Sequence, residues 1–344
     1  MSKKVAVALS GGVDSAVVAK LLLDQGYDVV GITAKMACDE NFDLVVNNAS
    51  NVAQNLGISH YVLDLSNEFK KCVIDYFVDA YKEGQTPNPC IVCNRDIKWG
   101  SLFDYAINVL KCDYVATGHY ANIIFDKVYK LYPASDEHKD QLYFLFLLTQ
   151  DRLSKTLFPL SCYKKEDVRK IAINADLPPK SSKESQDICF IKPPMTTKKF
   201  LNANLPQEEG FFVEKSTGKV LGKHNGYWQY TIGQRKGIGI AAPQPLYVVD
   251  IDSKTNTVFV GLNEDLFSKE LILENVVWSY DIPDGEFEVM VKIRYNMKAV
   301  SAKVKKEGRK AFVNFMNPVS AITNGQACVL YDIQDGHLLG GAFI

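Results

Sequence analysis

The sequence predicts an α/β protein in which a doubly wound parallel sheet is followed by two small β-rich domains. An apolar, β-branched run at 5–9 leads through two glycines into a helical pattern, as buried parallel strands do. Strand and helix patterns alternate through the first half, and short alternating strands take over near residue 210. At 344 residues the chain is long for one domain. We predict domains at 1–204, 205–267 and 268–344.

Strands and helices are expected at regular intervals along the first 175 residues. The strands are predicted at 5–9, 27–33, 60–65 and 112–117, and the helices at 14–25, 43–56, 67–83, 99–110, 140–157 and 163–175. Because parallel strands present their carboxyl ends at one edge of the sheet, the loops after them should share one crevice. Later strands are predicted at 211–213, 227–231, 246–251, 257–260, 276–278, 286–295, 299–304, 310–315 and 327–331, and the last set should form a β-barrel.

Composition narrows the classes of function. The net charge is −1, so any nucleic-acid site must be a local patch. No leader peptide is expected, and the longest apolar run, 142–148, is too short to cross a bilayer, which predicts a soluble cytosolic protein without a membrane partner. Eight cysteines in such a protein are not a disulfide framework. We expect Cys72, Cys112 and Cys328 to be buried and Cys162 to be structural, at the start of a helix.

The first chemical signal is Ser10-Gly11-Gly12-Val13-Asp14-Ser15, between the first strand and the first helix. Main-chain N–H groups and the helix dipole converge there, which makes an anion site. The segment lacks the lysine of a Walker A loop and the third glycine of a dinucleotide fingerprint. It therefore indicates another kind of phosphate loop, the alternative being an ordinary structural turn.

The second signal is the segment 86–98, which contains Pro87, Pro89, Cys90 and Cys93. Two prolines predict a rigid extended loop just before a helix. Cys93 near a helix N-terminus, beside Arg95 and Lys98, should have a lowered thiol pKa and act as a nucleophile. The spacing of the two cysteines is also typical of metal or redox sites, and alternatively of a structural loop.

The third signal is 185–190, Ser-Gln-Asp-Ile-Cys-Phe, in a loop-rich stretch after two prolines. Cys189 in this segment should reach back to Cys93.

Together these motifs resemble those of the tRNA-specific 2-thiouridylases, a family of N-type ATP pyrophosphatases with a HUP-like fold. The resemblance covers essentially the whole chain. Its motifs occur in the family's order: SGGVDS at 10–15, TPNPCIVCN at 86–94, ATGHYA at 116–121, KDQLYFL at 139–145, SQDICF at 185–190, GQRKGIG at 233–239, IRYN at 293–296 and NGQA at 324–327.

The resemblance implies that ATP, with Mg²⁺, adenylates the C2 oxygen of the wobble uridine in tRNA, and that sulfur replaces this oxygen. A urea-like carbonyl is a poor electrophile, so conversion of its oxygen to an AMP ester supplies a leaving group. An anticodon base is already unpaired, which makes flipping it into a pocket inexpensive. The implied partners are tRNA and a sulfur donor, either a cysteine desulfurase or a sulfur-relay protein.

By the same resemblance, individual residues acquire expected roles. Cys93 matches the catalytic nucleophile and Cys189 the persulfide carrier, and Asp14 is the acid of the phosphate loop. The expected ATP-binding residues are Ala8, Leu9, Ser10, Gly11, Gly12, Val13, Asp14, Ser15, Ala34 and Gly118. Asn88, Pro89 and Cys90 match the stretch that meets the target base, and His119, Lys139, Asp140, Gln141, Arg294, Tyr295 and Gln326 match tRNA contacts. For three of these a plainer role is open: Asp140 as a cap, Arg294 as a solvated charge and Gln326 as a turn residue.

Two positions depart from the family pattern. Ala34 replaces the usual methionine, and nearby Met36 is a candidate substitute for the adenine contact. Cys90 replaces the usual aspartate, giving three thiols, Cys90, Cys93 and Cys189, which suit a 4Fe–4S cluster with one open iron. The alternative is a persulfide relay with Cys90 as a spectator. Structural zinc would need a fourth ligand, for which His119 is the candidate.

A basic strip near the end of the chain is a candidate phosphate track or, equally, ordinary protection of strand edges. It comprises Lys292, Arg294, Lys298, Lys303, Lys305, Lys306, Arg309 and Lys310. Two rival functions also remain: another N-type ATP pyrophosphatase that amidates or ligates a small molecule, and a non-catalytic tRNA-binding protein. The first does not require the two-cysteine segment, and the second does not require an intact Asp14.

Overall fold

The computed structural model describes residues 2–36, 42–177 and 188–344. The first domain contains, in order, β1 (Lys4–Ala8), α1 (Val13–Asp24), β2 (Asp28–Lys35), α2 (Phe42–Leu56), β3 (Ser59–Asp64), α3 (Ser66–Phe69), α4 (Tyr76–Lys82), α5 (Pro89–Val92), β4 (Tyr114–Ala116), β5 (Asn122–Asp126), β6 (Val128–Tyr132), α6 (Gln150–Ser154), β7 (Thr156–Leu157) and α7 (Lys165–Asn174). Three π-helical stretches, Lys70–Asp75, Cys93–Leu102 and Tyr105–Val109, continue the helices around them.

A five-stranded parallel sheet organises this domain, in the order β3-β2-β1-β4-β7. The central strand buries alternate residues on opposite faces: Val5 and Val7 pack with α1, α2 and α7, whereas Ala6 packs with the helices that contain Phe69 and Trp99. The sheet is therefore doubly wound, as predicted. Strand order reverses between β1 and β4, and the crevice at that point is where such sheets bind ligands.

The predicted helix at 140–157 is wrong. This stretch forms a 3₁₀ turn at Leu142–Leu145, the short helix α6 and strand β7. The Asp140 carboxylate accepts hydrogen bonds from the N–H groups of Ala134 and Leu142, and Thr156 pairs with Val115 of the sheet. Sheet pairing and this local cap override an apolar pattern that resembles a helix.

The central domain contains α8 (Thr197–Asn204), β8 (Gly210–Glu214), β9 (Val220–His224), β10 (Tyr247–Asp252) and β11 (Thr257–Gly261). Its sheet has the order β10-β11-β8-β9. The strand predicted at 227–231 is wrong, because Tyr227–Gln229 is a 3₁₀ turn whose Tyr227 hydroxyl donates to the Lys82 carbonyl. Phe77 and Tyr81 of α4 share the core of this domain.

The last domain is a seven-stranded antiparallel sheet. Its strands are β12 (Phe267–Leu273), β13 (Val277–Trp278), β14 (Gly285–Lys292), β15 (Val300–Glu307), β16 (Lys310–Ser320), β17 (Ala327–Asp332) and β18 (Leu338–Phe343), of which β12 and β18 are additional to those predicted. Side chains of β17 and β18 enter the core of the first domain, where the Tyr143 hydroxyl donates to the Ala327 carbonyl at 2.9 Å. The domain limits near 205 and 268 remain predictions.

The cysteines outside the candidate site differ from one another. Cys112 and Cys328 are buried, as predicted, whereas Cys72 is half-buried. Cys162 is exposed and does not begin a helix, because α7 begins at Lys165; the expectation for it is wrong. Cys38 lies outside the described residues. Within the described ranges, no helix combines the length and the apolar character needed to cross a bilayer.

Candidate active site

The predicted phosphate loop lies at the carboxyl end of β1 and leads directly into α1. The Ser15 hydroxyl donates to the Gly12 carbonyl at 3.0 Å, and the Ser10 N–H donates to the Ser15 oxygen at 3.2 Å, so the loop is closed by its own serines. Among the described residues, no side chain caps the start of α1. Its first N–H groups are therefore available to an anion.

The other wall of the crevice comes from the loop after β4. A Cβ on Gly118 would lie 3.0 Å from Cβ of Asp14 and 3.3 Å from the Ser15 nitrogen, so any larger residue would push into the phosphate loop. Asp14 is half-buried, and its carboxylate accepts hydrogen bonds from Lys165 and from the Tyr120 hydroxyl.

The ends of β1 and β2, next to which the adenine contact is expected, also lie at the carboxyl edge of the parallel sheet. The Leu9 N–H donates to the Ile32 carbonyl and the Thr33 hydroxyl donates to the Leu9 carbonyl, each at 2.8 Å, which fixes the strand ends on either side. Ala34 and Met36 are half-buried at the end of β2. The role of either residue toward adenine remains a prediction.

The two-cysteine segment is helical from Pro89 onward. Asn88 caps α5 through its side-chain oxygen, which accepts from the Cys90 N–H at 3.2 Å, and Pro89 occupies the first helical position. The helix therefore begins ten residues earlier than predicted, and Cys93 lies inside it. Gly100 interrupts its geometry with a φ of −98° and a ψ of −107°.

The structure brings the three predicted thiols to one place. Cys90 and Cys189 are exposed and Cys93 is buried. Burial raises the pKa of all three thiols, and the Lys98 ammonium partly opposes this for each of them. Cys90 and Cys189 further raise the pKa of Cys93, and Cys90 raises that of Cys189. Phe190, next to Cys189, packs edge-on against Phe69 and Phe77 and so anchors this end of the segment. Residues 185–187 of the same motif lie outside the described residues.

The predicted lowering of the Cys93 pKa is wrong. Burial raises the pKa of this thiol to about 12, and the nearby Lys98 only partly opposes the effect. The sequence showed the neighbouring cations, but it could not show that the sulfur faces a dry interior.

His119 lies behind the thiols in the protein interior. Its Nε2 is 3.3 Å from the Lys98 ammonium, so this nitrogen accepts, and Nδ1 therefore donates to the Thr117 hydroxyl at 2.8 Å. Its ring packs on Trp99 with centroids 5.1 Å apart. Burial and Lys98 hold the pKa of His119 well below its usual value. The tRNA contact expected for His119 remains a prediction.

A structural zinc site does not fit these residues. The sulfur ligands of a tetrahedral zinc lie about 3.8 Å apart. Among the described residues, the only group of three or more His, Cys, Asp or Glu side chains with ligand atoms within 4.8 Å of one another is Asp332, Asp335 and His337, in the turn between β17 and β18. Both His119 nitrogens also have partners already. The role of the three thiols as ligands of an iron–sulfur cluster remains a prediction.

Several residues expected to contact tRNA make contacts between domains. The Tyr295 hydroxyl of the last domain donates to the Asp140 carbonyl of the first at 3.1 Å, whereas the Gln141 side chain accepts from the Tyr120 N–H at 3.1 Å within the first domain. Gln326 Nε2 donates to the Thr86 carbonyl at 2.7 Å. Arg294 is exposed and Lys139 half-exposed. Their expected contacts with tRNA remain predictions.

Three further residues belong to the site but were not assigned to it from sequence: Lys98, Tyr120 and Lys165. Lys98 stands within the two-cysteine motif, and Tyr120 directly follows the Gly118-His119 pair. Lys165 had no local signal, because it joins the phosphate loop from 151 residues further along the chain.

A parallel α/β domain with the predicted phosphate loop at its switch point, followed by two β domains, defines the chain as a HUP-domain protein with two appended β domains. Residues 3–193 match the family model described as tRNA methyl transferase HUP domain, 198–262 match the tRNA methyl transferase PRC-barrel domain, and 268–344 match the aminomethyltransferase β-barrel domain. The chain belongs to the family of MnmA tRNA-specific 2-thiouridylases.

Curated relatives match along nearly their whole length. The protein named tRNA-specific 2-thiouridylase MnmA from Carboxydothermus hydrogenoformans is 46% identical, over 99% of this chain and 97% of the relative. That from Clostridioides difficile is 44% identical, over 96% of each chain. Among solved structures, the U34-tRNA thiolase NcsA from Methanococcus maripaludis with its [4Fe-4S] cluster shows 21% identity and a TM-score of 0.36, over 53% of this chain and 62% of that chain.

Proposed function

We propose that this chain is an ATP-dependent tRNA uridine 2-sulfurtransferase that acts on the wobble position. The observation that carries the proposal is the link between its two reactive regions. Gly118 contacts the phosphate loop, and the adjacent His119 contacts Lys98, whose charge reaches all three thiols. One short segment thus joins a site suited to ATP with a site suited to sulfur.

The first half-reaction belongs to the phosphate loop. The uridine C2 oxygen attacks the α-phosphorus of ATP, and the bond to the bridging oxygen breaks, so that pyrophosphate leaves. The N–H groups at the start of α1 are placed to hold phosphate oxygens, and the Asp14 carboxylate supplies a hard oxygen ligand for Mg²⁺. These residues bind and orient ATP in the proposal.

The second half-reaction takes place at Cys90, Cys93 and Cys189, which we call the thiol cleft. When sulfide is the nucleophile, it attacks C2 and AMP departs with the original oxygen. When the outer sulfur of a Cys189 persulfide attacks C2 instead, AMP departs in the same way, the Cys93 thiolate then attacks Cys189 Sγ to release the 2-thiouridine, and an external thiol reduces the resulting Cys93–Cys189 disulfide. Asn88, Pro89 and Cys90 lie at the start of α5, where the proposal seats the target base. A cysteine desulfurase or a sulfur-relay protein is the proposed donor, and exposed Cys189 is the thiol that such a protein meets first.

We further propose Cys90, Cys93 and Cys189 as the three ligands of a 4Fe–4S cluster. Three convergent thiols with one nearby ammonium fit such a cluster, because Lys98 offsets part of the negative charge that three thiolates bring. The cluster would supply an open iron that binds sulfide. A persulfide relay between Cys93 and Cys189 is the competing arrangement.

The function is tested by the substrate that triggers pyrophosphate release. Purified protein with Mg²⁺ and ATP should release pyrophosphate when unmodified tRNA is added, and not when a small amine is added. A tRNA transcript with cytidine in place of the wobble uridine is the matched control and should release none. Release triggered by amines would favour a small-molecule ligase, and tRNA binding without any release would favour a binding protein.

A further inference from the structure

A chain of three side-chain hydrogen bonds leads from α2 to the end of β1. The Thr33 hydroxyl donates to the Leu9 carbonyl at 2.8 Å, and the Thr33 oxygen lies 2.8 Å from Nε2 of His60. Nδ1 of His60 lies 3.0 Å from the Ser50 hydroxyl. Thr33 is 1% exposed, so its hydroxyl is shielded from water that could replace either partner. Side chains of α2, β2 and β3 thus converge on one main-chain carbonyl just before the phosphate loop.

The direction of these hydrogen bonds follows from the single hydrogen of each hydroxyl. Because Thr33 gives its hydrogen to the Leu9 carbonyl, its oxygen can only accept from His60, so Nε2 of the ring carries a hydrogen. Burial lowers the pKa of His60, which favours the neutral ring and leaves Nδ1 to accept from the Ser50 hydroxyl. Every donor in the chain therefore points toward β1.

The glycine at position 31 makes this arrangement possible. A Cβ on Gly31 would lie 2.4 Å from Cδ1 of Leu9 and 3.5 Å from Cδ2 of His60, so a larger residue would displace the Leu9 side chain. Gly31 pairs with His60 in the sheet, and Thr33 follows two residues later on the same face. The strands themselves thus bring the Thr33 hydroxyl between the His60 ring and the end of β1.

The Thr33 hydroxyl binds a carbonyl that a longer strand pair would use differently. The paired register of β1 and β2 ends at Ala8 and Ile32. One step further, the ladder would join the Ala34 N–H to the Leu9 carbonyl, and the described residues form no such hydrogen bond. The Thr33 hydroxyl therefore takes the place of the Ala34 N–H as the partner of Leu9. This N–H is left at the carboxyl edge of the sheet, beside the phosphate loop.

We infer that Thr33 and His60 are positioning residues for selection of the nucleobase, an inference that rests on the proposed function. By binding the Leu9 carbonyl, the Thr33 hydroxyl keeps the Ala34 N–H available as a donor, and His60 holds the hydroxyl in the required orientation. N1 of adenine is a hydrogen-bond acceptor, whereas N1 of guanine carries a hydrogen. A main-chain donor at this edge therefore favours ATP over GTP.

The test compares nucleotides that differ in their base with a ligand that has no base. Calorimetry with Mg²⁺ measures the Kd of ATP, of GTP and of inorganic pyrophosphate for wild type, Thr33→Val and Thr33→Ser. Thr33→Val keeps the shape of the side chain without its hydroxyl. It should raise the Kd of ATP about tenfold, the equivalent of one hydrogen bond, and leave that of pyrophosphate within about twofold. The preference for ATP over GTP should fall by a similar factor, and Thr33→Ser should restore both values.

His60→Phe tests the second hydrogen bond of the chain. It keeps an aromatic ring but removes the donor to Thr33, so the affinity for ATP and the preference for ATP should both fall by about threefold. Thr257→Val is the matched control, because it removes a buried hydroxyl from a strand of the central domain and should leave all three Kd values unchanged.

Three results would overturn the inference: an unchanged Kd of ATP in Thr33→Val, an equal loss of affinity for pyrophosphate, or a wild type that binds ATP and GTP equally. The first two would leave the hydroxyl with a role in folding only. Should Thr33→Val fail to fold, His60→Phe makes the same comparison. A wild type that bound neither ATP nor pyrophosphate would instead overturn the proposed function, and the inference with it.

Discussion

The side-chain amide of Gln326 donates a 2.7 Å hydrogen bond to the main-chain carbonyl of Thr86. The Thr86 N–H donates to the Asn324 carbonyl at 2.8 Å. The last domain therefore forms hydrogen bonds with both the main-chain N–H and the main-chain carbonyl of Thr86. Between them, Gly325 has a φ of +87°, and a Cβ there would lie 2.9 to 3.0 Å from Gln85 and Thr86. The turn at 324–326 therefore positions the chain just before the two-cysteine segment.

Removing the hydrogen bond between Gln326 and Thr86 should lower the rate of thiolation more than it weakens tRNA binding. Gln326→Ala should lower the single-turnover thiolation rate about tenfold, the kinetic equivalent of one hydrogen bond, and leave the tRNA Kd within about twofold. Gln334→Ala, at an exposed position of the same domain, is the control. A higher Kd with an unchanged rate would instead support the direct tRNA contact implied by the family resemblance.

Asp14 is expected to be indispensable for adenylation. Asp14→Asn keeps the shape of the side chain but removes the charge that Mg²⁺ requires, so tRNA-triggered pyrophosphate release should fall by about 100-fold or more. Asp24→Asn, at the far end of α1 and paired with Lys20, should release pyrophosphate normally. Release that survives Asp14→Asn would contradict the assignment of the loop.

Substitution of Cys90 distinguishes the proposed 4Fe–4S cluster from a persulfide relay. Anaerobically prepared protein should contain iron and sulfide and absorb visible light, and Cys90→Ser, Cys93→Ser and Cys189→Ser should each lose both this absorbance and thiolation. Cys162→Ser, at an exposed position outside the cleft, is the control. Protein without iron, together with normal thiolation by Cys90→Ser alone, would establish the persulfide relay and leave Cys90 a spectator.

The basic strip divides into two parts. Lys305, Lys306 and Lys310 form ion pairs with Glu307, Asp284 and Glu274, whereas Arg294 is exposed and adjacent to Tyr295, which contacts the Asp140 segment. Arg294→Ala should reduce the log–log salt dependence of tRNA binding by about one unit, as expected for one phosphate contact. Lys310→Ala should reduce it less. Equal slopes for wild type and Arg294→Ala would exclude Arg294 from the phosphate track.

His119 should make the fold sensitive to acid. Its pKa is lowered in the folded state, so below the ordinary histidine pKa of about 6.5 the unfolded chain binds the extra proton. The contribution of His119 to stability is complete above that pH and falls as the pH decreases. His119→Gln should therefore lose less unfolding free energy than wild type between about pH 7 and 5, measured by urea denaturation. His138→Gln, on the surface, is the control, and parallel curves for wild type and His119→Gln would contradict the prediction.

Local patterns predicted the beginning of the first domain closely. Strand β1 and helix α1 lie within one residue of their predicted limits, because an apolar run, a glycine turn and a helical repeat are all visible in the sequence. The strands β12 and β18 were missed: most of Phe267–Leu273 faces solvent, and two glycines interrupt Leu338–Phe343. Their strand character comes from partners elsewhere in the sheet.

The candidate site was likewise predicted only in part from the sequence. Motifs pointed to the predicted phosphate loop and to the three cysteines, whose roles remain predictions. The raised pKa of Cys93 and the ion pair between Lys165 and Asp14 depend instead on the packing of distant segments. Sequence shows which charges are near along the chain. It does not show which groups the fold deprives of water.

The shared core of the first and last domains has a consequence for synthesis of the protein. Ala327, Val329, Tyr331 and Leu338 pack in one cluster with Ala6 and Trp99, so the interior around buried Cys93 stays incomplete until the segment 327–338 has been made. N-terminal domains commonly fold first as they leave the ribosome. Here the reactive cysteines reach their final environment only once the last domain has been synthesised, which makes that domain a precondition for assembling the sulfur site.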